Sequence, residues 1–96
     1  MDETKMIQEE HQVAIQVKSM FKDIKELKIS EPDINPMRGG INFGIKVTLG
    51  SGKIDNVGVT IGDTSGYANG AYLQEGKTDT PIKVIYSNGK EELING

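Results

Sequence analysis

The chain has 96 residues, 11 basic and 14 acidic side chains, a formal net charge of −3 and no cysteine. That length suits a single domain spanning residues 1–96, and the missing cysteines exclude a disulfide scaffold, a zinc–thiolate site, an iron–sulfur cluster and a cysteine nucleophile. The acidic balance argues against nucleic acid as a partner, because such binding needs a basic face.

Residues 1–29 read as one amphipathic helix. Met6, Val13, Val17, Met20, Ile24 and Leu27 recur at steps of three, four or seven, the rhythm of one helical face. Ile7, Ala14 and Phe21 widen that stripe. Asp2 is the expected N-cap. Acids crowd the start, and Lys22, Lys25 and Lys28 crowd the end, as the helix dipole favours. Such a helix would be about 40 Å long, against about 17–20 Å for an ordinary strand, so its N-terminal part is expected to overhang a sheet. Met6 and Ile7 on that overhang, and Ile15 beside the stripe, are candidate contacts for self-association.

Residues 30–40 read as a Pro/Gly linker. The apolar period then changes to two. Ile41, Phe43, Ile45, Val47 and Leu49 alternate with polar or small residues, and Val57, Val59 and Ile61 follow a Gly50-Ser51-Gly52 turn. A plain hairpin would set Val47 against Asn56. A bulge near Asp55-Asn56 is therefore expected, pairing Val47 with Val57, Ile45 with Val59 and Phe43 with Ile61. Residues 62–70 read as a polar loop, 71–75 as a short strand and 76–80 as a turn. Residues 81–86 read as a strand opening on Pro81. Asn88-Gly89 signals a type I′ hairpin turn, and residues 91–94 an exposed edge strand. The fold class is α+β: one long N-terminal amphipathic helix packed on a four- to five-stranded antiparallel β-meander formed by residues 41–96. In outline this order is similar to that of cystatin-like domains and pilin globular heads. It carries no residue motif of either, and it lacks the apolar half-helix by which pilin subunits assemble.

Chemistry is sparse in this sequence. His11 is the sole histidine and reads as a solvated helix residue. Gly62-Asp63-Thr64-Ser65-Gly66 resembles a serine-protease nucleophile loop in outline, but it reads as a glycine-flanked turn. Gly50-Ser51-Gly52-Lys53 lacks the first glycine and the final hydroxyl of a P-loop. Glu9-Glu10 and Glu91-Glu92 are adjacent pairs that diverge on a helix or strand. Lys18, Lys22 and Lys25 read as a solvated helix face. No catalytic residue, metal set or cofactor site is named.

The stretch of residues 62–72 is the best candidate contact surface. Asp63, Thr64, Ser65, Tyr67, Asn69 and Tyr72 combine hydrogen-bonding groups with rings, and the single arginine, Arg38, could join them from the linker. Gly44 and Gly58 leave room on the polar face of the best hairpin, for an aromatic such as Tyr67 or for another chain. The expected function is that of a small non-enzymatic binding protein, a homo-oligomer that occupies a partner protein's surface as an accessory or inhibitor. The alternatives are a structural subunit of a pilin-like surface assembly, and a small-ligand binder using residues 62–72. No run reaches the ~18 apolar residues of a membrane span, and the first residues lack the apolar core of a leader. A cytoplasmic location is expected, and a secreted chain trimmed of its leader would read the same.

Overall fold

Helix α1 runs Glu3–Met20 in the computed structural model, which describes residues 3–30, 33–35, 40–61, 67–68 and 72–95. Asp2 lies outside the described residues. The helix has 18 residues, about 27 Å at the standard rise. It is no longer than the ten-residue strand β3 in the sheet it covers, so the expected overhang does not arise. Its buried stripe is Val13, Ala14 and Val17, continued by Phe21 just past its end.

The helix stops nine residues short of its expected end because the next segment is a strand. The Phe21 amide still donates to the Val17 carbonyl at 3.2 Å. Lys22 and Asp23 then turn the chain, with Asp23 in the left-handed region at φ 62°. Strand β1, Ile24–Ile29, follows. Ile24 and Leu27, three apart, looked helical. Both are buried because the register slips between Ile24 and Glu26, so the bulge brings two residues of odd spacing to one face. Pairing along both edges of β1 overrides the local helical rhythm.

The other strands are β2 (Asp33–Asn35), β3 (Gly40–Leu49), β4 (Ile54–Ile61), β5 (Tyr67–Ala68), β6 (Ile82–Ile85) and β7 (Glu91–Ile94). Their order across the sheet is β5-β4-β3-β1-β6-β7, with β2 also paired to β3. The architecture is α+β, one helix on one face of a mixed, mostly antiparallel sheet. It is not a pure meander, because β1 and β6 run parallel at the centre. Part of the expected linker is also strand, since Asp33, Ile34 and Asn35 pair with Asn42, Ile41 and Gly40.

The β3–β4 hairpin needs no bulge at Asp55. Ile45 pairs with Val57, Phe43 with Val59 and Ile41 with Ile61. The irregularity sits in the turn, where the Gly52 amide donates to the Leu49 carbonyl and the Leu49 amide to the Lys53 carbonyl, both at 2.9 Å. The β6–β7 hairpin repeats the pattern. Gly89 donates to Tyr86, Tyr86 to Lys90, and Asn88 does not take the positive φ of a type I′ turn. Gly52 and Gly89, at φ 91° and 88°, supply the left-handed third residue that such three-residue loops require. The register puts Asp55 inside, opposite Val47, and turns Ile54 outward.

Residues 72–81 cross from one side of the sheet to the other past the end of the helix. The expected strand at 71–75 is absent from the described residues, save for a single bridge between Phe21 and Glu75. Lys22 donates to Gln74, Gly76 to Met20 and Thr78 to Lys18 through backbone bonds of 2.9–3.1 Å. The Lys18 ammonium, expected in solvent, is buried and donates to the Thr78 carbonyl. The Thr78 hydroxyl donates to the Phe21 carbonyl at 2.7 Å and accepts from the Ile24 amide at 3.2 Å. One threonine thus ties together the helix exit, the first strand and the crossover.

The core between helix and sheet is Val13, Ala14, Val17 and Phe21 against the inward residues of β1, β3, β4, β6 and β7, among them Leu27, Ile45, Val47, Val57 and Val84. Among the described residues, every buried side-chain polar atom has a hydrogen-bond partner. No helix among them is long and apolar enough to cross a membrane.

Candidate functional site

One helix covers one face of the sheet, and on the opposite face Lys28, Lys46, Ile54, Asn56 and Gly58 are exposed. The strand registers set the outward residues in rows. Leu93, Lys83, Glu26, Thr48 and Ile54 form one row, and Glu91, Ile85, Lys28, Lys46 and Asn56 the next. Gly44 and Gly58 face each other beyond them, with the Ser30 hydroxyl donating to the Gly44 carbonyl at 2.9 Å. A methyl group added at Gly58 would meet nothing within 4 Å, so this part of the face is a shallow floor of backbone. Leu93 is 62% exposed and Ile54 46% exposed, large apolar side chains at either margin.

The charges on this face are unevenly paired. The Lys83 ammonium lies 2.8 Å from Glu91 and 3.9 Å from Glu26. The hydrogen bond to Glu91, with its charge, holds that lysine above its ordinary pKa. Lys28 and Lys46 are direct cross-strand neighbours, and neither has an ion pair among the described residues. Like charges facing each other across a ladder oppose folding.

A second cluster lies where α1 meets the β6–β7 hairpin. Helical spacing puts Glu10 inward and His11 toward the hairpin. Glu10 is fully buried and accepts from the Ser87 amide and the Ser87 hydroxyl, both at 2.8 Å. His11 Nδ1 is 2.9 Å from Glu92 Oε1 and 3.0 Å from the Tyr86 hydroxyl, which itself donates to Glu92. His11 is therefore a bonded, half-buried residue and not the solvated one its helix position suggested. Burial, aided by the Glu92 carboxylate, pushes the Tyr86 phenol well above its usual range. The Tyr86 hydrogen bond, then His11, holds Glu92 below the ordinary glutamate value. The Ser87 hydroxyl is committed to Glu10, and the second nitrogen of His11 makes no hydrogen bond among the described residues. The cluster orients an imidazole, and among the described residues no nucleophile is bonded to it.

The depressed Glu92 pKa makes a definite pH prediction. The stabilisation is complete above the ordinary glutamate pKa near 4.5 and is lost as pH falls through the lower folded value. Glu92 is about half exposed, so solvent screening limits its size to about 0.5–1 kcal/mol. Urea unfolding of the native chain and of Glu92→Gln should differ by that amount at neutral pH and converge in acid.

A third feature is a cleft of about 350 Å³ where three loops meet at the far end of the sheet. Lys22 and Asp23 come from the α1–β1 turn, Ser51 and Lys53 from the β3–β4 turn, and Tyr72 and Gln74 from the crossover. The Asp23 carbonyl accepts from Gly50 at 2.8 Å, joining the first two loops. Asp55 joins the third, one carboxylate oxygen accepting from the Tyr72 and Leu73 amides at 2.6 and 2.8 Å. Replacing Asp55 with alanine leaves both amides unpaired and should cost about 2–3 kcal/mol. Asp55→Asn, which keeps an acceptor oxygen, should cost about half as much by thermal unfolding.

The expected contact residues fare unequally. Arg38, Asp63, Thr64, Ser65 and Asn69 lie outside the described residues. The Tyr67 backbone pairs with Val59, and Tyr72 is in the cleft. Met6 and Ile7 are partly buried against the core, while Ile15 is 40% exposed beside Ile94. Lys28, Lys46, Glu10 and Asp55 escaped sequence reasoning. Asp55 carried a usable signal, an acid inside an apolar alternation. Among the described residues, no three His, Asp or Glu side chains are grouped as a metal site requires. Comparison with protein-family models, curated proteins and solved structures finds no match.

Proposed function

We propose that this is a non-enzymatic binding protein whose open sheet face receives an acidic surface of a partner protein. The observation that carries this reading is the Lys28–Lys46 pair. Two lysines are cross-strand partners on a chain of net charge −3, with no ion pair to either among the described residues. A carboxylate from outside would relieve that repulsion. Gly58 beside it leaves open space, the Ser30 side chain covers its partner Gly44, and Ile54 and Leu93 offer apolar margins. Charge complementarity of this kind sets register and partner choice more than raw affinity.

The reading predicts a trade between stability and binding. Lys46→Glu replaces a repulsion by an attraction and should raise the urea midpoint, by about 0.2–1 kcal/mol of added stability. The same change, combined with Lys28→Glu, should abolish binding. An amide-resolved NMR titration with an oligoglutamate peptide tests this. Shifts confined to Lys28, Gly44, Lys46, Asn56 and Gly58, lost in the double variant and at high salt, support the reading. Shifts scattered over the surface, or unchanged in the double variant, overturn it. So does self-association that grows with concentration and is dispersed by Ile15→Glu while the peptide does nothing, an outcome that would favour assembly with copies of the same chain.

A further inference from the structure

We propose a separate site in the three-loop cleft, one that binds a small anion carrying carboxylate or phosphate oxygens. Two lysines line it, and neither Lys22 nor Lys53 has an ion-pair partner among the described residues. The Lys53 charge is held by its surroundings. The Lys53 ammonium sits over the Tyr72 ring, 4.4 Å from its centroid, a cation–π contact that fixes the charge at the mouth of the cleft. The stem of Lys22 lies against Gly76, where a methyl group would come within 3.1 Å of it.

The walls are preorganised as well. Backbone bonds join Lys22 to Gln74 and Gly50 to Asp23, and Asp55 anchors the strand-free segment that carries Tyr72. The cleft has the volume of a small ligand pocket, a few hundred Å³, and its lining is mainly polar and exposed, which suits a charged ligand. The Ser51 hydroxyl and the Gln74 amide add donors suited to anionic oxygens. Asp23 also lines the cleft and leaves a balance of one positive charge. That balance matches a small anion and disfavours a polyanion such as nucleic acid.

Tyr72 has a positioning role here, and its variants separate the site from mere surface charge. Tyr72→Phe keeps the ring face and should bind as the native chain does. Tyr72→Leu releases Lys53 and should weaken binding several-fold. Lys53→Ala should weaken it about tenfold, the loss of about 1.4 kcal/mol. The probes are inorganic phosphate and benzoate, titrated separately by amide-resolved NMR at constant ionic strength. Saturable shifts at Ser51, Lys53, Tyr72 and Gln74 that follow this order of variants support the proposal, and whichever probe binds more tightly identifies the phosphate or carboxylate source. The proposal is overturned if neither probe saturates, or if Lys53→Ala and Tyr72→Leu leave the shifts unchanged while retaining native spectra elsewhere. Because the open sheet face contributes no residue to this cleft, Lys28→Glu should not alter the outcome.

Discussion

Phe21→Ala should lower stability by about 3–5 kcal/mol, the largest single-residue effect expected in this protein. The ring is 1% exposed and sits at the junction of helix, first strand and crossover. Its backbone is engaged on both sides: the amide closes the last helical turn and the carbonyl accepts from Thr78. The substitution leaves those bonds possible but removes the volume around which three segments turn. A small domain has about 5–15 kcal/mol in all, so the variant should lose a large share of its stability. Phe21→Leu refills most of the space and should cost less than half as much. Urea unfolding monitored by circular dichroism gives both numbers. Equal losses for the two variants would mean that the ring is not packed as described.

Glu10→Ala should cost about 2–3 kcal/mol. Two Ser87 donors lose their acceptor, at about 1–3 kcal/mol for such groups, and a fully buried side chain leaves a void. The better helix propensity of alanine returns only about 0.5 kcal/mol. Glu10→Gln keeps an acceptor for the Ser87 amide and can donate to the hydroxyl, so it should retain most of the stability. The contrast between alanine and glutamine isolates hydrogen bonding from size. A Glu10→Leu variant as stable as the native chain would refute the account. Hydrogen exchange at the β6–β7 hairpin should rise in Glu10→Ala before it rises in β3, because Ser87 is the hairpin's tie to the helix.

How much of this was legible in the sequence varies with the length of each signal. Period-two alternation over residues 41–49 identified β3, and the glycines of both hairpins marked their turns. The class, one helix on a sheet, followed from those two periods. Helix α1 was legible through Met20, but Ile24 and Leu27 extended its rhythm by accident. A bulged strand brings residues three apart to one face, which is also what a helix does. The misplaced bulge at Asp55 came from requiring Val47 to pair with Val57, whereas Val47 stands opposite Asp55. It faces inward because two backbone amides of a distant segment need an acceptor there. The alternation of Asp55 with Val57 and Val59 signalled the inward position, but not the distant segment that it anchors. Glu10 and Lys18 are likewise charged residues with distant polar partners, near 87 and 78. Tyr72 was expected as a contact residue from composition alone, and it lines the cleft. The lysines that flank it became a group only when three loops far apart in sequence were brought together.

The parallel pairing of β1 with β6 has a consequence for how the chain must fold. Leu27 and Val84 are partners across more than half the chain, and no local turn can bring them together. The β3–β4 hairpin can form early, from contacts close in sequence. The central strand, made just after the helix, keeps one edge unsatisfied until the C-terminal hairpin arrives. Closing that long loop costs entropy before any contact rewards it, so docking of β6–β7 onto β1 should be the slow step. The step that completes the sheet is thus also the one that pairs the last open edge of its central strand.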